Sequence, residues 1–317
     1  MVRARRWLAL ILALAIVPGT IWRSEPPERN TNGAVTVKRL ALPAEPCLDA
    51  AATLCAEAAW ALSSQHSDFG GYSALVPDGP DRFLAFSDRG AVLSLPRPGR
   101  PGAFRFLGTA AVSLGEKRGG DVESAARSPD GTVWRALEGR NVVESDTATI
   151  VPPGLETWPD NTGPEALAAL PDGRLLLISE SHLDATGRAP ALLFDPARPT
   201  AARTLEVELP AGYSATGADT LPDGRVIVLL RAFRWMPPGF VGRLAVLDPR
   251  RISPDGVLTA RAIGRWAAPL PVDNYESVVA EEAADGSLTL WLISDDNEML
   301  LQRTLMMRLR WTDWQKH

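Results

Sequence analysis

Acidic residues recur at fixed distances from a repeated turn. Glu123 and Glu165 each lie seven residues before the Asp of a Pro-Asp-Gly sequence, and Glu138 and Glu180 each lie eight residues after it. Arg231 takes the second of these positions in another repeat. In an antiparallel hairpin the two positions face each other at the end opposite the turn. If the hairpins line a common channel, the pattern predicts that these charged side chains converge on one mouth of it.

The first and last hairpins add polar residues at equivalent strand ends. Ser87-Asp88-Arg89-Gly90 follows the first hairpin, Asn274 and Glu276 open the last, and Ser294-Asp295-Asp296-Asn297 follows it. The fourth hairpin departs from the pattern, because Asp219 lies only four residues before its turn. We therefore do not count Asp219 as an equal member of the set.

Carboxylates crowded into one space need a positive partner if they are to stay ionised. Hard oxygen ligands suit Ca²⁺ better than Zn²⁺, since the chain has only three His and its two Cys lie elsewhere. The predicted metal ligands are Glu123, Glu165, Asn274, Glu276 and Asp295. Arginines offer an alternative, because they neutralise carboxylates without a metal. The arginines in question are Arg89, Arg140, Arg231 and Arg303. Both explanations remain open at this point.

The elements that position these residues are short strands joined by tight turns. An Asp-Gly turn between two apolar runs indicates a hairpin, because Gly accepts the positive φ that the turn needs. Such turns occur at 77–79, 129–131, 171–173, 222–224 and 284–286. Their spacing of about 40–60 residues suits four-stranded blades, which predicts an all-β chain forming a single β-propeller. Its length favours six blades, with five or seven as alternatives, over a two-domain sandwich.

The ends of the chain are expected to meet in one sheet. Residues 34–42 alternate like a strand but precede the first hairpin, so we expect them to pair with the C-terminal strand, residues 304–310, and close the ring. This assigns residues 34–317 to the propeller and residues 20–33 to a linker.

The N-terminus has the layout of an export segment. Basic residues precede an apolar run from Trp7 to Val17 that ends at Pro18-Gly19. We read residues 1–19 as a signal peptide or an uncleaved membrane anchor, which predicts a periplasmic or secreted protein. In the uncleaved form, residues 7–22 tether it to the membrane. In such a compartment Cys47 and Cys55 are expected to form a disulfide rather than to remain as two small buried thiols.

Charge and missing motifs exclude several functions. The net charge of −5 argues against a nucleic-acid partner. No Gly-x-Ser-x-Gly elbow, P-loop, dinucleotide-binding fingerprint or Cys-x-x-Cys pair is present. Of the three His, only His182 is placed to serve a catalytic triad, so a serine-hydrolase mechanism has poor support. We expect a monomer that takes a small anionic or ester substrate.

Several segments together resemble the phytase-like family, also called the esterase-like activity of phytase family. These segments are 68–73, 86–90, 123–125, 138–140, 165–167, 273–276, 292–297 and 302–305. The resemblance covers about residues 60–310. It implies an exported propeller with esterase or phosphoesterase activity.

Combined with the charged mouth, the resemblance suggests a Ca²⁺-assisted hydrolase. In this hypothesis Glu138 or Glu180 orients the attacking water, and Arg89, Arg140 and Arg231 hold an anionic group. The rival hypothesis is a binding module in which the same mouth recognises a ligand or a partner protein without turnover.

Overall fold

The computed structural model describes residues 29–109, 121–159, 163–180, 187–236 and 238–316. The export segment, residues 20–28 of the expected linker, and His182 lie outside the described residues. No helix of the described ranges is long and apolar enough to cross a membrane.

The strands are numbered along the chain. The first six are β1 (Val35–Leu40), β2 (Leu54–Ser64), β3 (Tyr72–Pro77), β4 (Arg82–Ser87), β5 (Ala91–Pro96) and β6 (Arg105–Thr109). They are followed by β7 (Val122–Arg127), β8 (Val133–Leu137), β9 (Val142–Glu144), β10 (Thr149–Ile150), β11 (Ala166–Ala169), β12 (Leu175–Ile178), β13 (Arg188–Phe194) and β14 (Arg203–Glu208). The last eight are β15 (Ser214–Thr220), β16 (Val226–Trp235), β17 (Pro238–Leu247), β18 (Val257–Thr259), β19 (Arg261–Trp266), β20 (Asn274–Glu282), β21 (Leu288–Asp295) and β22 (Thr304–Trp311). Short 3₁₀ helices span Leu155–Thr157, Pro199–Ala201 and Trp314–Lys316.

These strands form five sheets, which are the blades of one β-propeller. Blades 1 and 2 are β3–β6 and β7–β10, blade 3 is β11–β14 with β18, and blade 4 is β15–β17 with β19. Blade 5 has the order β1-β2-β22-β21-β20. The inner strands β3, β7, β11, β15 and β20 contact one another in that cyclic order. The five Asp-Gly turns join the two inner strands of the five blades, and their glycines have positive φ, for example 92° at Gly131.

Two expectations about the ring are wrong. There are five blades and not six, because β1, β2 and β18 extend existing blades instead of building another. Residues 34–42 do not pair with the C-terminal strand: β1 pairs with β2, and β2 lies beside β22. β2 is longer and more buried than β1, so it takes the position that shields the apolar strand β22. The expected disulfide between Cys47 and Cys55 is present at the start of β2.

Within the ranges that the structure describes, the core consists of five apolar clusters, each between two neighbouring blades. Alternation along a strand sends successive side chains to opposite faces, so one strand serves two clusters. In β12, Leu176 and Ile178 pack toward blade 4, whereas Leu175 and Leu177 pack toward blade 2. Strands buried on both faces therefore read as continuous apolar runs.

The inner strands of blades 4 and 5 approach each other closely at Gly217. A Cβ on Gly217 would lie 2.5 Å from the carbonyl oxygen of Glu276 and 3.1 Å from the Cα of Ser277. These are backbone atoms, which cannot rotate away. Only a residue without a side chain fits this position.

We expect Gly217→Ala to destabilise the fold by about 1–3 kcal/mol, because the added methyl pushes two inner strands apart. The measurement is chemical unfolding of the variant and the wild type. Gly33→Ala is the matched control, since a Cβ there is 4.0 Å from its nearest neighbour, Phe106. Equal stability of the two variants would contradict the proposed close contact.

Candidate functional site

A cavity of about 460 Å³ opens where the inner hairpins end, opposite their turns. Among the described residues, eight carboxylates and a single guanidinium line it, with five further side chains. The carboxylates are those of Asp88, Asp121, Glu123, Glu138, Glu165, Glu180, Glu276 and Asp295. The other residues are Arg231, Ser73, Phe233, Phe240, Asn274 and Asn297. The cavity is therefore strongly acidic.

β-Bulges place several of these side chains. Four of the five inner strands carry one extra residue at the mouth end, and these residues are Ser73, Glu123, Thr216 and Glu276. A bulge re-aims a side chain that plain alternation would send between the blades. Three of the four line the cavity. The hydroxyl of Thr216 instead donates a hydrogen bond to the carbonyl oxygen of Tyr275, at 2.9 Å.

Arg231 neutralises one side of the cavity. Its Nη2 donates to Glu180 Oε1 at 2.6 Å, and its Nη1 donates to Glu276 Oε1 and Asn274 Oδ1. Burial lowers the pKa of Arg231, but the neighbouring Glu276 and Glu180 raise it above its usual value. This side of the cavity is a compact ion-pair network between blades 3, 4 and 5.

The opposite side holds three carboxylates close together. Oxygens of Asp121, Glu123 and Glu138 lie within 4.8 Å of one another, and we call these residues the acidic triad. Glu138 Oε1 accepts a hydrogen bond from the backbone N–H of Gly163, at 3.0 Å. Within the described ranges, Asp121 and Glu123 make no ion pair with Arg or Lys. Burial raises the pKa of Glu123 well above its usual value, and Glu165 and Asp121 raise it further.

Three further carboxylates of the cavity are also shifted toward their neutral forms. Burial raises the pKa of Glu276 to about 8 against the opposing effect of Arg231, and burial raises that of Asp295 to about 7. Burial, followed by Glu276 and Glu180, raises the pKa of Glu165 well above its usual value. Glu276 Oε2 and Asp88 Oδ1 are buried and have no hydrogen-bond donor in the described part of the chain. Acceptor oxygens in this state fit a bound cation, and the oxygen-only donor set fits a hard one such as Ca²⁺.

Eight of the ten residues chosen from the sequence line this cavity, but Arg89 and Arg140 do not. Arg89 donates to the carbonyl oxygen of Phe69 and forms an ion pair with Glu298. Arg140 is exposed to solvent, and Arg303 pairs with Asp273 at 3.3 Å. The roles assigned to the eight residues in metal binding or catalysis remain predictions.

Sequence reasoning missed several cavity residues. Asp121 is two residues before Glu123, and alternation would have put both on one face of the strand. Asp88 stands beside Arg89, but only Arg89 is among the predicted site residues. Phe233 and Phe240 were missed because β16 and β17 continue beyond the mouth as a long hairpin. The Pro-Pro-Gly sequence at 237–239 is a turn signal that could have marked this extension.

The fold and this acidic mouth define the chain as a β-propeller with a polar central site. Residues 67–298 match the family model described as "Phytase-like: Esterase-like activity of phytase". This match covers more than half of the sequence, so the chain belongs to the phytase-like family. The resemblance inferred from the sequence is confirmed.

Other comparisons add little about activity. No curated protein matches the chain. Virginiamycin B lyase from Staphylococcus aureus is 8% identical with a TM-score of 0.41, over 87% of this chain and 99% of that chain. Endo-arabinase from Bacteroides thetaiotaomicron is 11% identical with a TM-score of 0.47, over 75% and 93%. Aldose sugar dehydrogenase from Streptomyces coelicolor, in a PQQ-bound form, is 13% identical with a TM-score of 0.42, over 90% and 100%. Likenesses this distant carry no argument about function.

Replacing Arg231 tests the ion-pair side of the cavity. We expect Arg231→Met to destabilise the protein by about 2–4 kcal/mol, because Glu180 and Glu276 lose their counter-charge inside a partly closed site. Unfolding in denaturant measures the change. Arg140→Met, at the exposed arginine outside the cavity, should alter stability by less than about 0.5 kcal/mol. Comparable losses for the two arginines would refute the assignment of Arg231 as the central counter-charge.

Stability in chelator should depend on pH in a defined direction. Glu276 and Asp295 have folded pKa values of about 8 and 7, above their ordinary values of 4.5 and 3.8. The stability that comes from their neutral forms is complete below about pH 4 and is lost as pH rises through 7 and 8. The melting temperature should therefore fall as the pH rises from about 4 to about 8. Glu276→Gln should flatten the fall, and an unchanged profile would argue against a raised pKa at Glu276.

Proposed function

We propose that the protein is an exported hydrolase of small esters or phosphate esters, assisted by a divalent cation such as Ca²⁺, with its site in the acidic cavity. The observation that carries this proposal is the uneven distribution of charge. Arg231 neutralises Glu180 and Glu276, whereas Asp121 and Glu123 have no described cationic partner. A second positive charge is therefore expected at the acidic triad.

Electrostatics supports the need for that cation. An anionic phosphate ester would be repelled by the eight carboxylates of the described lining, and the one arginine described there is already paired with two of them. Asp121, Glu123 and Glu138 would hold the cation. Bound there, a divalent cation would offset the charge of the substrate and polarise the bond to be cleaved.

The other polar residues have roles that follow from their positions. Glu180, held in place by Arg231 on the rim of the acidic space, is the candidate that orients water and accepts its proton. Glu276, paired with Arg231 and lining the same cavity, is a further candidate ligand of the cation. Arg231 holds both carboxylates in place. Arg89 and Arg140, outside the cavity, are not assigned a part in catalysis.

Export is part of the proposal. The apolar run from Trp7 to Val17 follows basic residues, and the described chain contains a disulfide. Disulfides persist in oxidising compartments such as the periplasm. We therefore place the protein outside the cytoplasm.

Hydrolysis of chromogenic phosphate and acetate esters tests the function. Calcium should support release of product and chelator should reduce it to background. Glu180→Gln should lower the rate on the order of 100-fold, because it removes the group that accepts a proton from water. Glu282→Gln is the matched control, since Glu282 is exposed at the far end of β20 and should leave the rate unchanged.

The rival binding hypothesis gives a different result in the same assay. A phosphate ester that raises the melting temperature in calcium, without any product, would support recognition without turnover. That outcome would overturn the catalytic proposal.

A further inference from the structure

Two apolar tips rise from the face that carries the cavity mouth. In the described part of the chain, the large apolar side chains exposed by more than four fifths are Trp235, Met236, Leu300 and Leu301. Trp235 and Met236 form the tip of the β16–β17 hairpin, and Leu300 and Leu301 lie in the connection between β21 and β22. Adjacent exposed apolar side chains of this size are typical of sites that contact a protein or a membrane.

Strand register shows that both tips are on the mouth side. The pair Arg231 and Gly242 lies at the cavity, and four further pairs carry β16 and β17 about 13 Å beyond it, to the pair of Trp235 with Pro238. The other connection starts directly after Asp295, which lines the cavity. The two tips therefore rise from neighbouring blades, 4 and 5, on the face that carries the mouth.

The hairpin tip is ordered by aromatic contacts that lead back to the cavity. The rings of Trp235 and Phe233 meet edge to face at 5.1 Å, and those of Phe233 and Phe240 at 5.4 Å. Phe233 and Phe240 also line the cavity. Arg234, beside Trp235, is exposed, and an exposed cation next to a Trp suits the phosphate and ester layer of a membrane.

The N-terminal segment leaves the propeller on this same face. β1 begins at Val35 opposite Ser64, close to the pair of Leu62 with Thr304, and Thr304 directly follows the Leu300–Leu301 connection. Before β1, the backbone N–H of Asn30 donates to Ser67 Oγ at 2.8 Å. The apolar run that ends at Val17 is thus joined to the mouth face by residues 18–28, which span at most about 40 Å when extended.

We propose that the mouth face docks on a lipid bilayer, with Trp235, Met236, Leu300 and Leu301 inserted into its interfacial layer. The cavity then opens toward the membrane surface. The two tips supply the apolar area for insertion, and Trp235 with Arg234 suits the interfacial layer of the membrane. The chain that leads to the apolar N-terminal run leaves the propeller on the same face. This docking does not depend on whether the cavity is catalytic.

The test uses the full chain and vesicles of phosphatidylethanolamine and phosphatidylglycerol. Because Cys47 and Cys55 are joined in a disulfide, Leu300→Cys introduces a single free thiol for an environment-sensitive fluorophore. We expect the label to report an apolar environment when vesicles are added, and to be quenched by lipids with brominated acyl chains. The same label at Leu107→Cys, an exposed position on the outer strand β6, should not respond.

Vesicle sedimentation provides the second readout. The double variants Trp235→Ser with Met236→Ser, and Leu300→Ser with Leu301→Ser, should each bind vesicles at least about tenfold more weakly than the control pair Leu107→Ser with Val151→Ser. Binding through the N-terminal segment alone would leave the Leu300 label unchanged and all three pairs equal, which overturns the proposal. The label could also respond in the absence of vesicles, with a response that grows with protein concentration. This result would show that a second copy of the chain covers the mouth face, and it would overturn the membrane proposal.

Discussion

The crowding of carboxylates around Arg231 is the constraint on which the rest of the site depends. Eight acidic side chains of the described residues share one cavity, and the guanidinium of Arg231 forms ion pairs with two of them. Charges of one sign in a partly closed space raise one another's pKa values, so each carboxylate must be neutralised by a proton, an arginine or a cation. The protein uses the arginine on the side of blades 3, 4 and 5, and on our account a cation on the side of blade 2.

Contacts between neighbouring blades fix the distances between the charged side chains of the cavity. Ser124 donates a hydrogen bond to the carbonyl oxygen of Pro164 at 2.7 Å, and Ser277 accepts one from the backbone N–H of Leu75 at 2.9 Å. Each serine directly follows the glutamate of a β-bulge. The glutamate that lines the cavity and the serine that hydrogen-bonds to the next blade are therefore neighbours in the chain. Gly217 lets blades 4 and 5 approach closely enough for Arg231 to reach Glu276. Packing between blades and charge at the centre are therefore coupled.

The sequence was informative where a repeat made positions comparable. The turn repeat located all five inner hairpins, and the offsets from it selected five of the fourteen described cavity residues, because an inner hairpin has the same geometry in each blade. The number of blades was wrong because chain length was divided by a typical blade length, whereas β1, β2 and β18 widen existing blades. β18 follows a Pro-Asp-Gly turn at Pro254-Asp255-Gly256, and this turn opens no new blade. Arg89 was misplaced because the residue after a strand is free to turn outward, as it does toward Phe69. Asp121 was overlooked because one position per strand was compared.

The most direct test of the account is the effect of calcium on melting temperature in wild type, Asp121→Asn, Glu123→Gln and Glu282→Gln. Calcium should raise the melting temperature of the wild type and of Glu282→Gln, and should have little effect on the two triad variants, because each lacks one charge of the site. A wild type that melts at the same temperature in calcium and in chelator would contradict the division of the cavity into an arginine side and a cation side.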